Sequence, residues 1–384
     1  MILKTHLSTF LATALLSSTF VMSGCGTDDT DSKKTAPTST TTDTDNSTNT
    51  GTLLSGTTLS GAITSDTLLD ATKAYKIDGL VTVKNGATLT IPAGTTLYGG
   101  QDGYLVVAMG AKIMAKGTST SPIIFTSEAA YNGDTEARGQ WGGVTLLGKS
   151  TTNEANLKYE VDESNTDFAF GSKDAGVVTD SSGELSYVKI LNSGLSKADN
   201  KEINGLSLCG VGSGTVIDNI TVERSGDDGV EIWGGTVNLT NITIKDAGDD
   251  SFDIDNGYVG NVTGLTITQV TQGASGIEMT NSGDLPRTKA TFKDVTIKTI
   301  ADSKDGAIYF KDDGVASTFE NVSIEHNSAT NGAIYARKIL VADALANISF
   351  TNMTFAGSNS IQVSGATDSS NTATVTALST KLSN

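Results

Sequence analysis

Two acidic turns lie a short interval apart in the chain. The segment SGDDGVEIW begins at residue 225, and AGDDSFDID follows 22 residues later, from residue 247. Each Gly-Asp-Asp turn leads into alternating apolar and polar residues, which is the period of a half-buried β-strand. Seven carboxylates fall in these segments: Asp227, Asp228, Glu231, Asp249, Asp250, Asp253 and Asp255. If the segments stack as neighbouring strands, these groups lie about 5 Å apart and repel by roughly 1 kcal/mol per pair in water.

A bound cation would offset this repulsion. Carboxylates with no histidine or cysteine nearby favour Ca²⁺ over zinc or copper, and His326 falls on a different strand pattern. We therefore predict a Ca²⁺ site formed by the seven carboxylates. An alternative stays open, because tight turns prefer Asp and Gly in any case and an acidic face keeps a protein soluble.

The elements that position these turns are repeats. A six-residue pattern (apolar, any, usually Asn, apolar, usually Thr, apolar) recurs every 22 to 32 residues. Its copies are LSYVKI from 185, IDNITV from 217, LTNITI from 239, VTGLTI from 262, FKDVTI from 292, FENVSI from 319 and FTNMTF from 350. A second strand pattern interleaves with it, from LSLC at 206 to IQVS at 361. Two strands within 22 residues leave no room for a crossover helix, so the pattern predicts an all-β parallel β-helix of about ten coils.

The recurring asparagine fits this geometry, because asparagine tolerates the left-handed backbone of a tight turn. Asn219, Asn241, Asn321 and Asn352 are expected to stack as a ladder that Gly264 and Asp294 interrupt.

The second strand pattern predicts which side chains point away from the core. One outward column comprises Ser207, Glu231, Asp253, Glu278, Tyr309, Tyr335 and Gln362. We expect this column to face solvent. A ligand-binding face is predicted from it and from the adjacent column: Trp233, Glu278, Tyr309, Lys311, Tyr335 and Arg337. The aromatic rings suit stacking on sugars, or alternatively they pair to stabilise the sheet. No catalytic residue is assigned, and no histidine is placed to activate a serine.

The repeats also set the domain limits. Residues 52–76 are expected to form a polar-edged N-terminal cap, as a solenoid end requires. The β-helix is predicted over 77–365, with a loop insertion at 150–182 that bulges from a coil, and residues 366–384 are a polar tail or cap. Cys209 is expected to be a packed residue. The other cysteine, Cys25, is expected to be acylated, as described below, so that no partner remains for a disulfide.

The N-terminus predicts export. A short apolar run follows Lys4, and Met22-Ser23-Gly24-Cys25 resembles the bacterial lipobox, which implies that residues 1–24 are removed and Cys25 is acylated. Gly26, by similarity to Gram-negative lipoproteins, implies the outer membrane or cell surface. Residues 25–51 read as a lipidated cysteine followed by a disordered tether. The formal charge of −17 argues against nucleic acid and against anionic membrane surfaces as partners.

The coil pattern, the Asn turn and the lipobox together resemble bacterial surface lipoproteins with a right-handed parallel β-helix, of the pectate-lyase-like superfamily. The likeness covers about residues 77–365. It implies the fold, while the function stays open, because the superfamily includes lyases, hydrolases and adhesins. SGDDGVEI also resembles the Gly-Asp-Asp turn of polygalacturonase-type hydrolases, but their Gly-His-Gly turn and Arg-x-Lys strand have no counterpart at a matching coil.

We therefore predict a surface lipoprotein that binds a glycan or a surface protein in a Ca²⁺-dependent way without catalysis. The second hypothesis is a polysaccharide lyase or glycoside hydrolase, and the third is a structural or adhesive spacer.

Overall fold

The computed structural model describes residues 51–198, 201–281, 285–300, 303–312, 314–328, 332–337, 342–357, 361–364 and 368–382. Cys25, the export segment and the tether lie outside this part. No helix among these residues is long and apolar enough to cross a bilayer.

The described chain is built almost entirely from short strands. They are β1 Thr52–Leu53, β2 Thr58–Ile63, β3 Thr67–Leu68, β4 Ala74–Val83, β5 Thr88–Ile91, β6 Thr96–Gly99, β7 Tyr104–Val107, β8 Lys112–Lys116, β9 Ile123–Ser127, β10 Val144–Leu147, β11 Gly183–Leu191, β12 Ser196–Ala198, β13 Lys201–Glu202, β14 Leu206–Cys209, β15 Val216–Glu223, β16 Val230–Trp233, β17 Asn238–Lys245, β18 Phe252–Asp255, β19 Asn261–Thr268, β20 Ser275–Met279, β21 Thr291–Lys298, β22 Gly306–Phe310, β23 Thr318–His326, β24 Ile334–Ala336, β25 Ser349–Gly357 and β26 Ile361–Val363. The helices are α1 Glu128–Tyr131, α2 Ala342–Asn347 and α3 Asp368–Leu382, with 3-10 turns at Glu160–Asp162 and Thr166–Phe168.

Apart from β12 and β13, which pair antiparallel with each other, the strands stack in parallel into three sheets, which we call A, B and C. Sheet A runs from the end of β4 through β7, β10, β14, β16, β18, β20, β22 and β24 to β26. The long strands from β11 to β25 contribute their first halves to sheet B and their second halves to sheet C. The chain is thus a right-handed parallel β-helix, and the fold prediction is confirmed.

Each long strand bends between sheets B and C at one residue with left-handed backbone. This position holds Tyr187, Asn219, Asn241, Gly264, Asp294, Asn321 and Asn352, all with positive φ. The Nδ2 of Asn352 donates to Oδ1 of Asn321 over 2.9 Å, and the Nδ2 of Asn321 donates to Oδ1 of Asp294 over 2.8 Å. Asp294 therefore continues the ladder as an acceptor instead of interrupting it as predicted.

The inward side chains form one continuous core. Within it, the ring of Phe319 stacks on Phe292 and on Phe350, with centroids 5.1 and 5.3 Å apart. At the C-terminal end, helix α3 buries Leu378 in the same core. At the N-terminal end, strands β1 to β3 within residues 52–76 already pair in parallel with the following coil.

The insertion at 150–182 packs on the outside of sheet A. Its aromatic side chains Tyr159, Phe168 and Phe170 form a second apolar cluster with Tyr104, Val106, Leu147, Ile203 and Cys209. Cys209 is fully buried there, as predicted. The predicted loop thus covers part of the outward face.

The expectation that the outward column of sheet A faces solvent was wrong for its middle coils. Ser207 is fully buried, Asp253 is 8% exposed, and Glu278 and Tyr309 are each 3% exposed. Two of the covering groups come from neighbouring coils of the same sheet: the Tyr335 ring stacks on Tyr309 with centroids 5.0 Å apart, and Lys311 reaches back over Glu278.

Candidate functional site

The acidic turns are linked to one another through the backbone. The Oδ1 of Asp228 accepts a hydrogen bond from the backbone N–H of Asp250 over 2.9 Å. The Oδ1 of Asp250 accepts from the N–H of Ser275 over 2.6 Å. One coil earlier, the Oδ1 of Asn204 accepts from the N–H of Asp228 over 3.1 Å. One oxygen of each turn side chain therefore holds the next turn in register, which is a structural role.

Five of the carboxylates form two small clusters. Asp227, Asp228 and Asp249 form the first, and Asp228, Glu231 and Asp253 form the second; within each, one oxygen per residue lies within 4.8 Å of the others. Asp228 belongs to both. Register explains the second cluster, because Glu231 pairs with Asp253 in adjacent strands of sheet A. The predicted stacking of the two turns is confirmed by this register.

Two of the seven predicted ligands fall outside both clusters. Asp250 directs one oxygen to the backbone of Ser275, as described above. Asp255 lies beside Trp233 in the register, and its Oδ1 accepts from the N–H of Asn256 over 2.6 Å. The structure thus brings together five of the seven residues.

Burial sets the electrostatics of these clusters. It raises the pKa of Asp228 and of Glu231 well above the ordinary range, and the neighbouring carboxylates raise both pKa values further. Burial and then the Asp249 carboxylate raise the pKa of Asp227 to about 7. At pH 8 Asp227 is therefore mostly ionised, and a protein cation lies beside the first cluster, since Nζ of Lys304 is 3.8 Å from Oδ1 of Asp249.

Burial raises the pKa of Asp253 well above its ordinary value, and the Asp250 and Asp255 carboxylates raise it further. Its side chain is 8% exposed, and its buried Oδ1 has no hydrogen-bond partner among the described residues. An unpartnered buried polar atom costs roughly 1–3 kcal/mol, and more when it is charged. The charge of Lys311 lowers the pKa of Asp253, but the Lys311 Nζ pairs with Glu278, 2.5 Å from its Oε1. Asp253 therefore has one buried oxygen with no donor among the described residues.

Two residues near the clusters were not among the predicted ligands: Glu160 in the insertion, and Asn204 in the turn before β14. Glu160 lies close enough for its charge to raise the pKa of Glu231. Burial and then Glu202 raise the pKa of Glu160 itself to about 7. Asn204 donates from Nδ2 to Oε2 of Glu231. Asn204 carried a usable signal, because it precedes its strand at the same offset as Asp228 and Asp250, whereas Glu160 lies outside every repeat.

The predicted ligand-binding face is not one open surface. Trp233 packs edge-on against Tyr159 of the insertion, with ring centroids 5.9 Å apart. Glu278 and Lys311 pair with each other, Tyr309 and Tyr335 stack, and Arg337 contacts Asp312 with Nη2 and Oδ1 3.5 Å apart. These contacts engage the six side chains within the protein.

The chemistry that the clusters support is the binding of a hard cation by oxygen ligands. No imidazole or thiolate takes part: Nδ1 of His326 lies 2.7 Å from Oγ1 of Thr299 in the turn beyond sheet C, and Cys209 is buried in the apolar cluster under the insertion. Within each cluster the oxygens are closer than the roughly 6.5–9.5 Å that separates the carboxyl groups of inverting glycosidases. This close spacing favours a shared cation over an inverting acid-base pair.

One family of known proteins matches most of this chain. No curated protein matches the chain. Two solved structures are similar: the enzymatically active domain of tailspike protein 2 of bacteriophage CBA120, at 15% identity and TM-score 0.36, and the Agl-KA catalytic domain, at 14% identity and TM-score 0.30. The alignments cover 76% and 78% of this chain, but 39% and 62% of those structures. Residues 61–384 match the pectate-lyase-like β-helix domain, so the chain belongs to that family.

Proposed function

We propose that the protein is a Ca²⁺-binding β-helix that is exported, anchored at the bacterial cell surface, and binds a glycan or surface protein without cleaving it. Two observations carry the cation site: the carboxylates of Asp228, Glu231 and Asp253 converge, and Oδ1 of Asp253 has no hydrogen-bond partner among the described residues. Membership of the pectate-lyase-like family supports a glycan as the partner.

In this proposal the cation neutralises the negative charge of the clustered carboxylates. Asp228 would ligate with the oxygen that does not hold the Asp250 N–H, and Asp253 with its free Oδ1. Asp227 and Asp249 would complete the oxygen set from the half-buried side of the cluster. A bound Ca²⁺ would then tie two successive coils of sheet A together beside the insertion.

Calorimetric titration tests the cation site. CaCl₂ added to the purified, chelator-treated protein is expected to show saturable binding, which Asp253→Asn reduces at least tenfold because a carboxylate ligand is lost. Asp255→Asn is the matched control: it removes the same charge two residues along the same strand, outside both clusters. Absence of saturable binding, or equal losses in the two variants, would reject the site.

The lipid anchor has its own test. Cys25→Ser is expected to abolish acylation, so that the protein leaves the membrane fraction or stays unprocessed. Mass spectrometry of the mature N-terminus and membrane fractionation measure this. Unchanged membrane association of the variant, with no lipid mass on the wild-type N-terminus, would contradict the anchor.

A glycoside hydrolase is the second candidate, and one observation favours it. Glu160 has a pKa of about 7 and acts on Glu231 from the insertion, and a carboxyl group of this kind suits a general acid. Release of reducing ends from a glycan, lost in Glu160→Gln, would favour this activity over binding. Unsaturated products would instead indicate a lyase.

A further inference from the structure

The last coil of the β-helix ends in a strand edge that the function proposed above does not use. Strand β25 pairs with β23 on one side, and no other described strand pairs with it on the other side. An interior strand such as β23 has a partner on both sides, namely β21 and β25. The outer edge of β25 therefore carries a row of backbone N–H and C=O groups to which a further strand could bond.

Helix α3 covers this end of the β-helix only in part. It buries Leu378 against the core. Met353 and Phe355, the inward residues of the second half of β25, are nevertheless only half-buried. Their counterparts one coil earlier, Val322 and Ile324, are each 1% exposed. The sheet C side of the last coil therefore lacks the covering layer that an interior coil receives from the next one.

The asparagine ladder also ends at this coil with a free acceptor. The Nδ2 of Asn352 donates to the Oδ1 of Asn321, one coil earlier. Among the described residues, no donor reaches the Oδ1 of Asn352 in the same way. A further coil with an asparagine at its bend would supply that donor.

The strand at this edge carries no charge. Residues 344–367 contain no aspartate, glutamate, lysine, arginine or histidine, whereas β21 has Lys293 and Lys298, and β23 has Glu320 and Glu325. Proteins commonly protect an exposed strand edge with a charged side chain or a proline, and β25 has neither. Two copies of a protein with a formal charge of −17 repel each other. The edge of β25 lets them approach without bringing like charges together.

We propose that the outer edge of β25 is a self-association surface, on which β25 of one copy pairs antiparallel with β25 of a second copy. A second copy offers an uncharged strand with the same spacing of apolar residues and an asparagine at its bend. A two-fold axis through the bend places the first half of each strand against the second half of the other, so the contact is closed and symmetric. This pairing satisfies the backbone groups of both edges, covers Met353 and Phe355, and places the two Asn352 amides next to each other. It involves neither the acidic turns nor a glycan.

The molecular mass in solution tests this contact. The parent protein is the mature chain, residues 25–384, with Cys25→Ser so that no lipid drives association, in a buffer with chelator. Sedimentation equilibrium is expected to show its conversion from monomer to dimer as the concentration rises. Thr354→Lys is expected to weaken the dimer about tenfold or more, because a lysine on a strand edge opposes pairing and the two-fold axis brings one from each copy. Thr354 is exposed, so this variant should melt like the parent.

Thr296→Lys is the matched control. Thr296 is an exposed residue of the same outward column of sheet C, but it lies in β21, between Thr266 and Ser323 of the two flanking strands. This variant adds the same charge away from the edge and should dimerise like the parent. The proposal is overturned if the parent stays monomeric at every concentration, if Thr354→Lys dimerises as well as the parent, or if Thr296→Lys weakens the dimer equally. Assemblies that grow beyond two copies would also overturn it, since a closed two-fold contact ends at the dimer.

Discussion

Ile242→Asp is expected to unfold most or all of the β-helix, whereas Thr243→Asp should leave it folded. Ile242 is fully buried in the core between Ile220 and Leu265, and Thr243 beside it is exposed. An aspartate at 242 places a carboxyl group with no partner in an apolar interior. That costs several kcal/mol, a large share of the roughly 5–15 kcal/mol by which folded proteins are stable.

Chemical denaturation of the purified variants measures this difference. The free energy of unfolding, or the midpoint if unfolding is not two-state, should fall several-fold more for Ile242→Asp than for Thr243→Asp. Thr243→Asp controls for the added charge at the adjacent position of the same strand. If Ile242→Asp and Thr243→Asp destabilised the protein equally, the assignment of Ile242 to the core and Thr243 to the surface would be wrong.

The register of these strands could be predicted because a solenoid repeats its own geometry. Once IDNITV and LTNITI are aligned, Ile220 and Ile242 must share one inward column and Asn219 and Asn241 one bend. The same argument brings Glu231 next to Asp253. Each of these placements depends only on the spacing of apolar residues and on the backbone preferences of asparagine.

The environment of the outward face could not be predicted in this way. The insertion at 150–182 has no repeat, so the sequence gives no register for Tyr159 or Glu160 against sheet A. The effect of the Glu160 charge on Glu231 depends on that contact. Likewise, the alternation of a strand predicts which face of the sheet Lys311 lies on, but not the direction in which its long side chain extends. The pairing of Lys311 with Glu278 depends on that direction.

Because the acidic cluster is buried, we expect the stability of the metal-free protein to fall as the pH rises. Asp227 and Glu160 have folded-state pKa values of about 7, above the ordinary values of 3.8 and 4.5. Between about pH 4 and pH 7 the folded state holds protons that the unfolded chain has released. The free energy of unfolding therefore falls as the pH rises over this range. With chelator present, these two groups should make the protein more stable at pH 5 than at pH 8. A melting temperature that rises over this range would contradict the raised pKa values.

Calcium should reverse this loss at pH 8, where the carboxylates are most charged. At 100 times its dissociation constant, Ca²⁺ is expected to add about 2.7 kcal/mol to the free energy of unfolding. Asp228→Asn should remove most of that gain, because Asp228 belongs to both clusters. Without calcium this variant should be slightly more stable than the wild type, since repulsion is relieved and Asn keeps the Oδ1 that accepts from the Asp250 N–H, as Asn204 does one coil earlier.

Asp250→Asn separates ligation from the turn ladder. Asp250 has the same ladder role as Asp228, since its Oδ1 accepts from the N–H of Ser275, but it belongs to neither cluster. Thermal melts of the three proteins with calcium and with chelator should therefore show a large calcium shift in the wild type and in Asp250→Asn, and a small one in Asp228→Asn. If calcium does not shift the melting temperature of the wild type, the carboxylates do not bind a cation. The acids of the two turns would then be turn residues, and the deeply placed Asp228, Glu231 and Asp253 would keep their protons because burial raises their pKa values.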